Sequence, residues 1–353
     1  SQPSAKSVPM TIVDIGRENP PPPLEVALLL QGTLEFKPTV IAIEPVLQWG
    51  ERLKDQEQIF IDQAMRVPKL VLGAELTATP DPDAPVAEIS GFTNVTGRRG
   101  DLPTFSGIEH QPDEDVRILS TLGFINLSDE SANELRVPLL FQYRGEVVPS
   151  FALQTALLWM RIIPNEVKID IGSAITLPNG TKIPINADGT LLVNPQLAKR
   201  ARHITLNELL LATQQHESGA ATTIRLEDIR AQIVLARVES NSPDLLAAAI
   251  AAIQSQTFVR RVSWIFDCIV VVIVALNSGA LRRFSRVDLI IGAVAFTAAY
   301  CLIAVGLMST YSIWIPAWLP LGAVWITVLF AMILPKPKDS ARTVTIAAPP
   351  PTP

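Results

Sequence analysis

Over the first 259 positions apolar residues come in short runs broken by polar turns; beyond that point the runs lengthen abruptly. Residues 10–15 form a short apolar run that predicts a strand, and the four prolines Pro20–Pro23 after it hold the chain extended. Residues 24–34 have helical spacing, 39–43 read as a buried β-branched strand, 56–65 as a helix and 69–75 as a strand. This βαβαβ order implies parallel pairing with right-handed crossovers. Residues 79–85 and 94–101, rich in Pro, Asp and Gly, predict loops. Strands follow at 121–126 and 137–143, then a helix at 150–161. Turn signals at 178–180 and 186–189 punctuate a run of short strands. A helix at 205–213, a strand at 232–238 and a helix at 243–256 complete this part, the last running almost directly into the next apolar segment.

Three long apolar runs follow, over residues 262–281, 287–308 and 311–334. At 1.5 Å per residue each is long enough to cross the ~30 Å hydrocarbon core of a bilayer. Composition agrees: 48% of the residues are hydrophobic, only 18% are charged, and the mean hydropathy is +0.30. Residues 1–259 carry 21 basic and 31 acidic side chains, and the remainder carries eight and three. The expected architecture is therefore an α/β domain, with a mixed, mostly parallel sheet and helices on its faces, joined to three transmembrane helices and a short Pro-rich tail over residues 335–353.

Arg282, Arg283 and Arg286 in the first loop, with Lys336, Lys338 and Arg342 in the tail, place those segments in the cytoplasm. Residues 1–259 are then extracytoplasmic, although Arg260 and Arg261 lie on that outer side. Trp264, Trp314 and Trp318 fall near the outer interface, where aromatic belts sit. Cys268 and Cys301 lie in the membrane segments, which leaves the outer domain free of cysteine. An exported domain needs a leader or an upstream anchor, and Ser1–Lys6 offers neither, so one is expected to precede Ser1.

Enzyme signatures are absent: there is no phosphate-binding loop, dinucleotide-binding turn, nucleophile elbow or paired-histidine zinc motif. His110, His203 and His216 are widely spaced and read as surface histidines. Asp113, Glu114 and Asp115 read as a solvated loop rather than a cation site. No catalytic residue, metal or cofactor is expected. The net charge of −5 and 6% aromatic content argue against a nucleic-acid partner.

Two acids stand out. Asp14 and Glu44 each end an apolar strand in the βαβαβ segment, and open α/β sheets bind ligands at the carboxyl ends of their strands. They are candidate ligand-binding residues for a cationic or polyhydroxy compound, the alternative being that they cap backbone or pair with a basic residue. Asp267, about one and a half turns inside the first apolar run, is a candidate intramembrane relay or partner contact, or an ion-pair mate of Arg260.

The order of several segments resembles the CHASE-type-two extracellular sensor domains of bacterial adenylate cyclases and histidine kinases. Ile12-Val13-Asp14-Ile15 resembles the opening strand of that family and Val40-Ile41-Ala42-Ile43-Glu44 its second. Gly123-Phe124-Ile125-Asn126 followed by Arg136-Val137-Pro138-Leu139-Leu140 is the most family-like stretch. Pro149–Gln154, Ile183–Asn186 with Asp188-Gly189, and Ile233-Val234-Leu235 add to it, as does a tail of three membrane helices. The chain departs from the pattern at Pro20–Pro23, at Gly16 where a second acid is expected, and at 245–249, which lack a histidine. The resemblance implies a bacterial inner-membrane sensor with a periplasmic domain. It also makes Arg136, at a position that family keeps basic, a third candidate ligand contact; an acid on a neighbouring strand is the alternative partner for it. No output domain follows the third run, so signalling is expected to pass through a protein partner or a homo-oligomer of the membrane helices. A non-catalytic structural subunit that reuses the sensor fold is the competing expectation.

Overall fold

In the computed structural model of the chain, placement is described for residues 8–80, 89–128, 133–222, 224–225, 229–239, 244–261, 268–269, 271–272, 286–311, 313–314 and 318–333. Two compact units divide at Val259/Arg260.

The first unit is built on seven strands in one sheet. Its strands are β1 (Met10–Asp14), β2 (Val40–Ile43), β3 (Leu70–Thr77), β4 (Gly107–His110) and β5 (Thr121–Phe124). A separate ribbon follows, β6 (Arg136–Pro138), with the adjoining β7 (Leu140–Tyr143) and, later, β8 (Thr190–Leu192). The sheet is completed by β9 (Arg202–Thr205) and β10 (Ile233–Arg237), in the spatial order β9-β1-β10-β2-β3-β4, with β5 also paired to β3. All pairings are parallel except β3 with β4. The mixed, mostly parallel sheet is therefore as expected.

Helices α1 (Pro23–Glu35), α2 (Lys54–Ala64), α3 (Phe151–Met160), α4 (Leu206–Glu217) and α5 (Leu245–Ser255) cover the sheet. Side chains alternate across each strand. Val13, Ile41, Ile43, Leu72, Val234 and Ala236 pack with α1, α2 and α4, whereas Met10, Ile12, Val40, Ala42, Ile233 and Leu235 pack with α3 and α5. Both faces are buried, which is why these strands read as continuous apolar runs. Helix α5 has nine consecutive buried residues from Leu245 to Ile253, five of them alanine, and so seats close against its neighbours.

The 94–101 region read as a loop contains the short strand Asn94–Thr96, which pairs in parallel with Lys168–Asp170. The single strand expected over 137–143 is two. β6 pairs with β8, and β7 pairs with Glu146–Pro149 and Thr104–Phe105. Leu139 sits at the switch, donating to the Gly189 carbonyl and accepting from the Ser150 amide. Helix α5 ends at Ser255, where Gln256 takes a left-handed conformation at φ 53°.

In the second unit the described elements are α6 (Arg286–Tyr311), α7 (Trp318–Ile333) and the two-residue strands Arg260–Arg261 and Ile313–Trp314. Among the described residues one helix, over Val287–Leu307, is long and apolar enough to cross a membrane. Among the described residues of the third expected run, Tyr311 belongs to α6, Ile313–Trp314 form a two-residue strand and α7 covers Trp318–Ile333. Most of the first run, including Asp267, lies outside the described residues. Leu289 and Ala293 of α6 pack on Val324 and Val328 of α7.

Candidate functional site

The register of the parallel strands sets three charged residues side by side. β10 lies between β1 and β2, with Asp14 opposite Arg237 and Ile43 opposite Ala236. The Glu44 amide donates to the Ala236 carbonyl, so Glu44 continues the β2 register level with Arg237. Asp14, Glu44 and Arg237 are in phase with Ile12, Ala42 and Leu235, which places them on the sheet face covered by α5. Asp244, the N-cap of α5, completes the group.

Arg237 bridges two of the acids. Its Nε donates to Asp14 Oδ1 at 2.8 Å and its Nη1 to Asp244 Oδ2 at 2.9 Å. The other Asp244 oxygen accepts from the Ala247 amide at 2.8 Å, so one carboxylate caps a helix and neutralises a guanidinium. The Arg237 and Asp244 side chains are 14% and 8% exposed, which makes this a largely desolvated array. Outside it, Arg17 pairs with Glu239 in solvent at 2.8 Å.

Glu44 is the odd member. Among the described residues its carboxylate has no hydrogen bond or ion pair, and burial pushes it up to about 7; the nearby Asp244 adds to the rise and Arg237 opposes it. Burial also raises Asp244, against the pull of the Ala247 amide and of Arg237. For Arg237, burial works downward, but Asp244 and Asp14 together hold the guanidinium above its ordinary value.

Arg136 stands elsewhere in the unit. A cleft of about 310 Å³ is lined by Phe105, Glu134, Arg136, Phe141, Asp188 and Thr190, among others. Arg136 Nε lies 3.0 Å from Glu134 Oε2, and its Nη1 lies 3.8 Å from Asp188 Oδ2. Asp188 is held by its turn: its Oδ1 accepts from the Thr190 amide at 3.1 Å and from the Thr190 hydroxyl at 2.7 Å. Gly189 in that turn has φ 74°, and a Cβ on it would come within 2.6 Å of Leu102. Only glycine fits there. On the apolar side, Phe105 and Phe141 meet edge to face at 5.7 Å.

Two of the three candidate ligand residues, Asp14 and Glu44, thus come together around Arg237, while Arg136 faces a different cleft with acids of its own. Arg237, Asp244, Glu134 and Asp188 were not singled out from the sequence. Arg237 ends an apolar strand just as Asp14 and Glu44 do, and that shared position was the available signal. Asp188 was legible only as a turn residue.

Among the described residues, no cluster of three or more His, Cys, Asp or Glu has the arrangement to hold a metal. Asp113 accepts from the Trp49 amide at 2.9 Å, His203 lies 3.1 Å from the Ala198 carbonyl, and His216 packs on Phe36. These are structural roles. No protein-family model, curated protein or solved structure matches this chain.

Proposed function

We propose that the chain is a membrane-anchored, non-catalytic sensor of the bacterial inner membrane, whose extracytoplasmic α/β unit binds a small ligand. The observation that carries this reading is the Arg136 cleft, where three charged groups and the partly exposed ring of Phe105 line a volume of about 310 Å³. Small-ligand sites combine mostly apolar linings with a few fixed polar groups, in volumes from about 300 Å³ upward. The Val287–Leu307 helix supplies one membrane crossing. The apolar runs at 262–281 and 311–334 supply the other two, with the Arg282 loop on the cytoplasmic side. Ligand occupancy is passed through these helices to a protein partner or a second copy of the chain. The ordered likeness to CHASE-type-two sensor domains supports the same reading.

A second reading, a structural subunit, is favoured by one observation: the strand ends where α/β sheets usually bind ligands are occupied by Arg237 and its two carboxylates. Purification of the intact chain in mild detergent, with mass spectrometry of what accompanies it, separates the two. A co-purifying kinase, cyclase or regulator supports the sensor. Recovery in fixed stoichiometry with a large envelope complex, together with no ligand response from the Arg136 cleft, overturns it in favour of the subunit.

A further inference from the structure

The cleft at Arg136 holds one cation between two anions. Glu134 and Asp188 flank the guanidinium, leaving one net negative charge on this side of the cleft. An anionic ligand such as a phosphate or carboxylate would meet that excess charge. A small cation would meet Arg136 at the centre of the row. The unspent valences alternate instead. Among the described residues, Glu134 Oε1 and Arg136 Nη2 make no hydrogen bond, and Asp188 Oδ2 has only the 3.8 Å approach of Arg136. That sequence of acceptor, donor and acceptor matches a row of neighbouring hydroxyl groups, since each hydroxyl both donates and accepts.

Two of the neighbouring polar groups are already engaged, which leaves Glu134, Arg136 and Asp188 as the charged groups that carry recognition. Asn126 spends its amide on the Leu76 backbone in both directions, at 2.8 and 2.9 Å. The Thr190 hydroxyl donates to Asp188 and accepts from Asn186. The accessible apolar lining is Pro103, Phe105 and Leu127, with the buried Phe141 supporting Phe105 from behind. An aromatic face carries partial negative charge and takes the C–H face of a saturated ring well.

We infer that the Arg136 cleft binds a neutral polyhydroxy ring compound, a saccharide of one or two rings, with its hydroxyl edge on Glu134, Arg136 and Asp188 and its C–H face on the ring of Phe105. This rests on the reading of that cleft as the ligand site. Asp188 is pre-set by its turn and needs no reorganisation to bind, whereas Glu134, on the more exposed side, closes the row.

The test uses the full chain in lipid nanodiscs, free of glycoside detergents, and saturation-transfer NMR with three probe sets: neutral mono- and disaccharides, sugar phosphates, and small amines. Neutral saccharides are expected to bind, with sugar phosphates at least about tenfold weaker. Asp188→Asn and Glu134→Gln should each weaken saccharide binding about tenfold, the loss of roughly one charge-assisted hydrogen bond. Glu134 is more than half exposed, so Glu134→Gln leaves the fold intact and keeps the test decisive. If amines or sugar phosphates bind in a Glu134-dependent way and saccharides do not, the ligand class is overturned while the cleft stands. If no probe of any set binds, both the saccharide assignment and the sensor reading fall.

Discussion

Arg237 and Asp14, 223 positions apart, are joined by an Nε–Oδ1 hydrogen bond of 2.8 Å across neighbouring parallel strands. The bond ties the last strand of the sheet to the first, and Asp244 extends it to the start of α5. Removing the cation would leave two carboxylates in a poorly solvated place, the costly way to break a buried ion pair. Arg237→Met is expected to destabilise the first unit by about 3–5 kcal/mol. Asp14→Asn should cost less, because Asp244 still neutralises the guanidinium. Urea unfolding of the full chain in nanodiscs, followed by tryptophan fluorescence, measures both. Equal small losses for the two variants would show that the array contributes little.

Glu44 gives stability a pH dependence of definite sign. Its carboxyl rises from 4.5 to about 7 on folding, so the folded state holds the proton more tightly than the unfolded chain. Stability from this residue is fully present below pH 4.5. It falls as the pH climbs to about 7 and stays lost above. Glu44→Gln should match wild type near pH 5 and be more stable by about 1–3 kcal/mol at pH 8. Thermal melts at the two pH values check this. A difference that does not change with pH would mean that Glu44 titrates normally in the fold.

Gly73 lies where β3 passes the end of β2. A Cβ there would come 2.0 Å from the Glu44 carbonyl oxygen, a backbone atom that cannot step aside without moving the strand. Gly73→Ala is expected to cost about 3 kcal/mol or more, above the usual range for overpacking. Gly50, with nothing within 4 Å of its would-be Cβ, is the control. Gly50→Ala should leave the unfolding midpoint nearly unchanged. If the two substitutions cost the same, β2 and β3 are not packed this closely.

What the sequence carried was local order. Residues 10–75 read as βαβαβ because both faces of those strands are buried and their helices have apolar stripes, and β1, α1, β2, α2 and β3 lie within a few residues of the expected places. It did not carry partner choice. Nothing local says that β10, two hundred residues later, inserts between β1 and β2, so Asp14 and Glu44 were visible as strand-end acids while the arginine between them was not. The run over 137–143 is apolar at every position but Gln142, since both of its halves are buried. Its division at Leu139 is imposed by the carbonyl of Gly189 and the amide of Ser150, which belong to other segments. Arg136 and Asp188 meet for the same reason, through the pairing of β6 with β8.

Helix α6 offers a test that separates a membrane crossing from an ordinary surface helix. Val294, near the middle of the Val287–Leu307 stretch, is 52% exposed. On the surface of a soluble protein such a valine is readily replaced by lysine, since exposed positions favour charge. In a bilayer the same lysine sits close to the hydrocarbon midplane and raises the insertion free energy by about 2.5–3.5 kcal/mol. The Arg286–Tyr311 segment carried in a membrane-insertion reporter should therefore insert efficiently as wild type and lose about a hundredfold in its inserted-to-translocated ratio as Val294→Lys. Moving the lysine to Val287, at the end of the stretch, should restore most of the insertion, because the side chain there reaches the headgroups. Poor insertion of the wild-type segment, or indifference to the position of the lysine, would remove α6 as a membrane anchor.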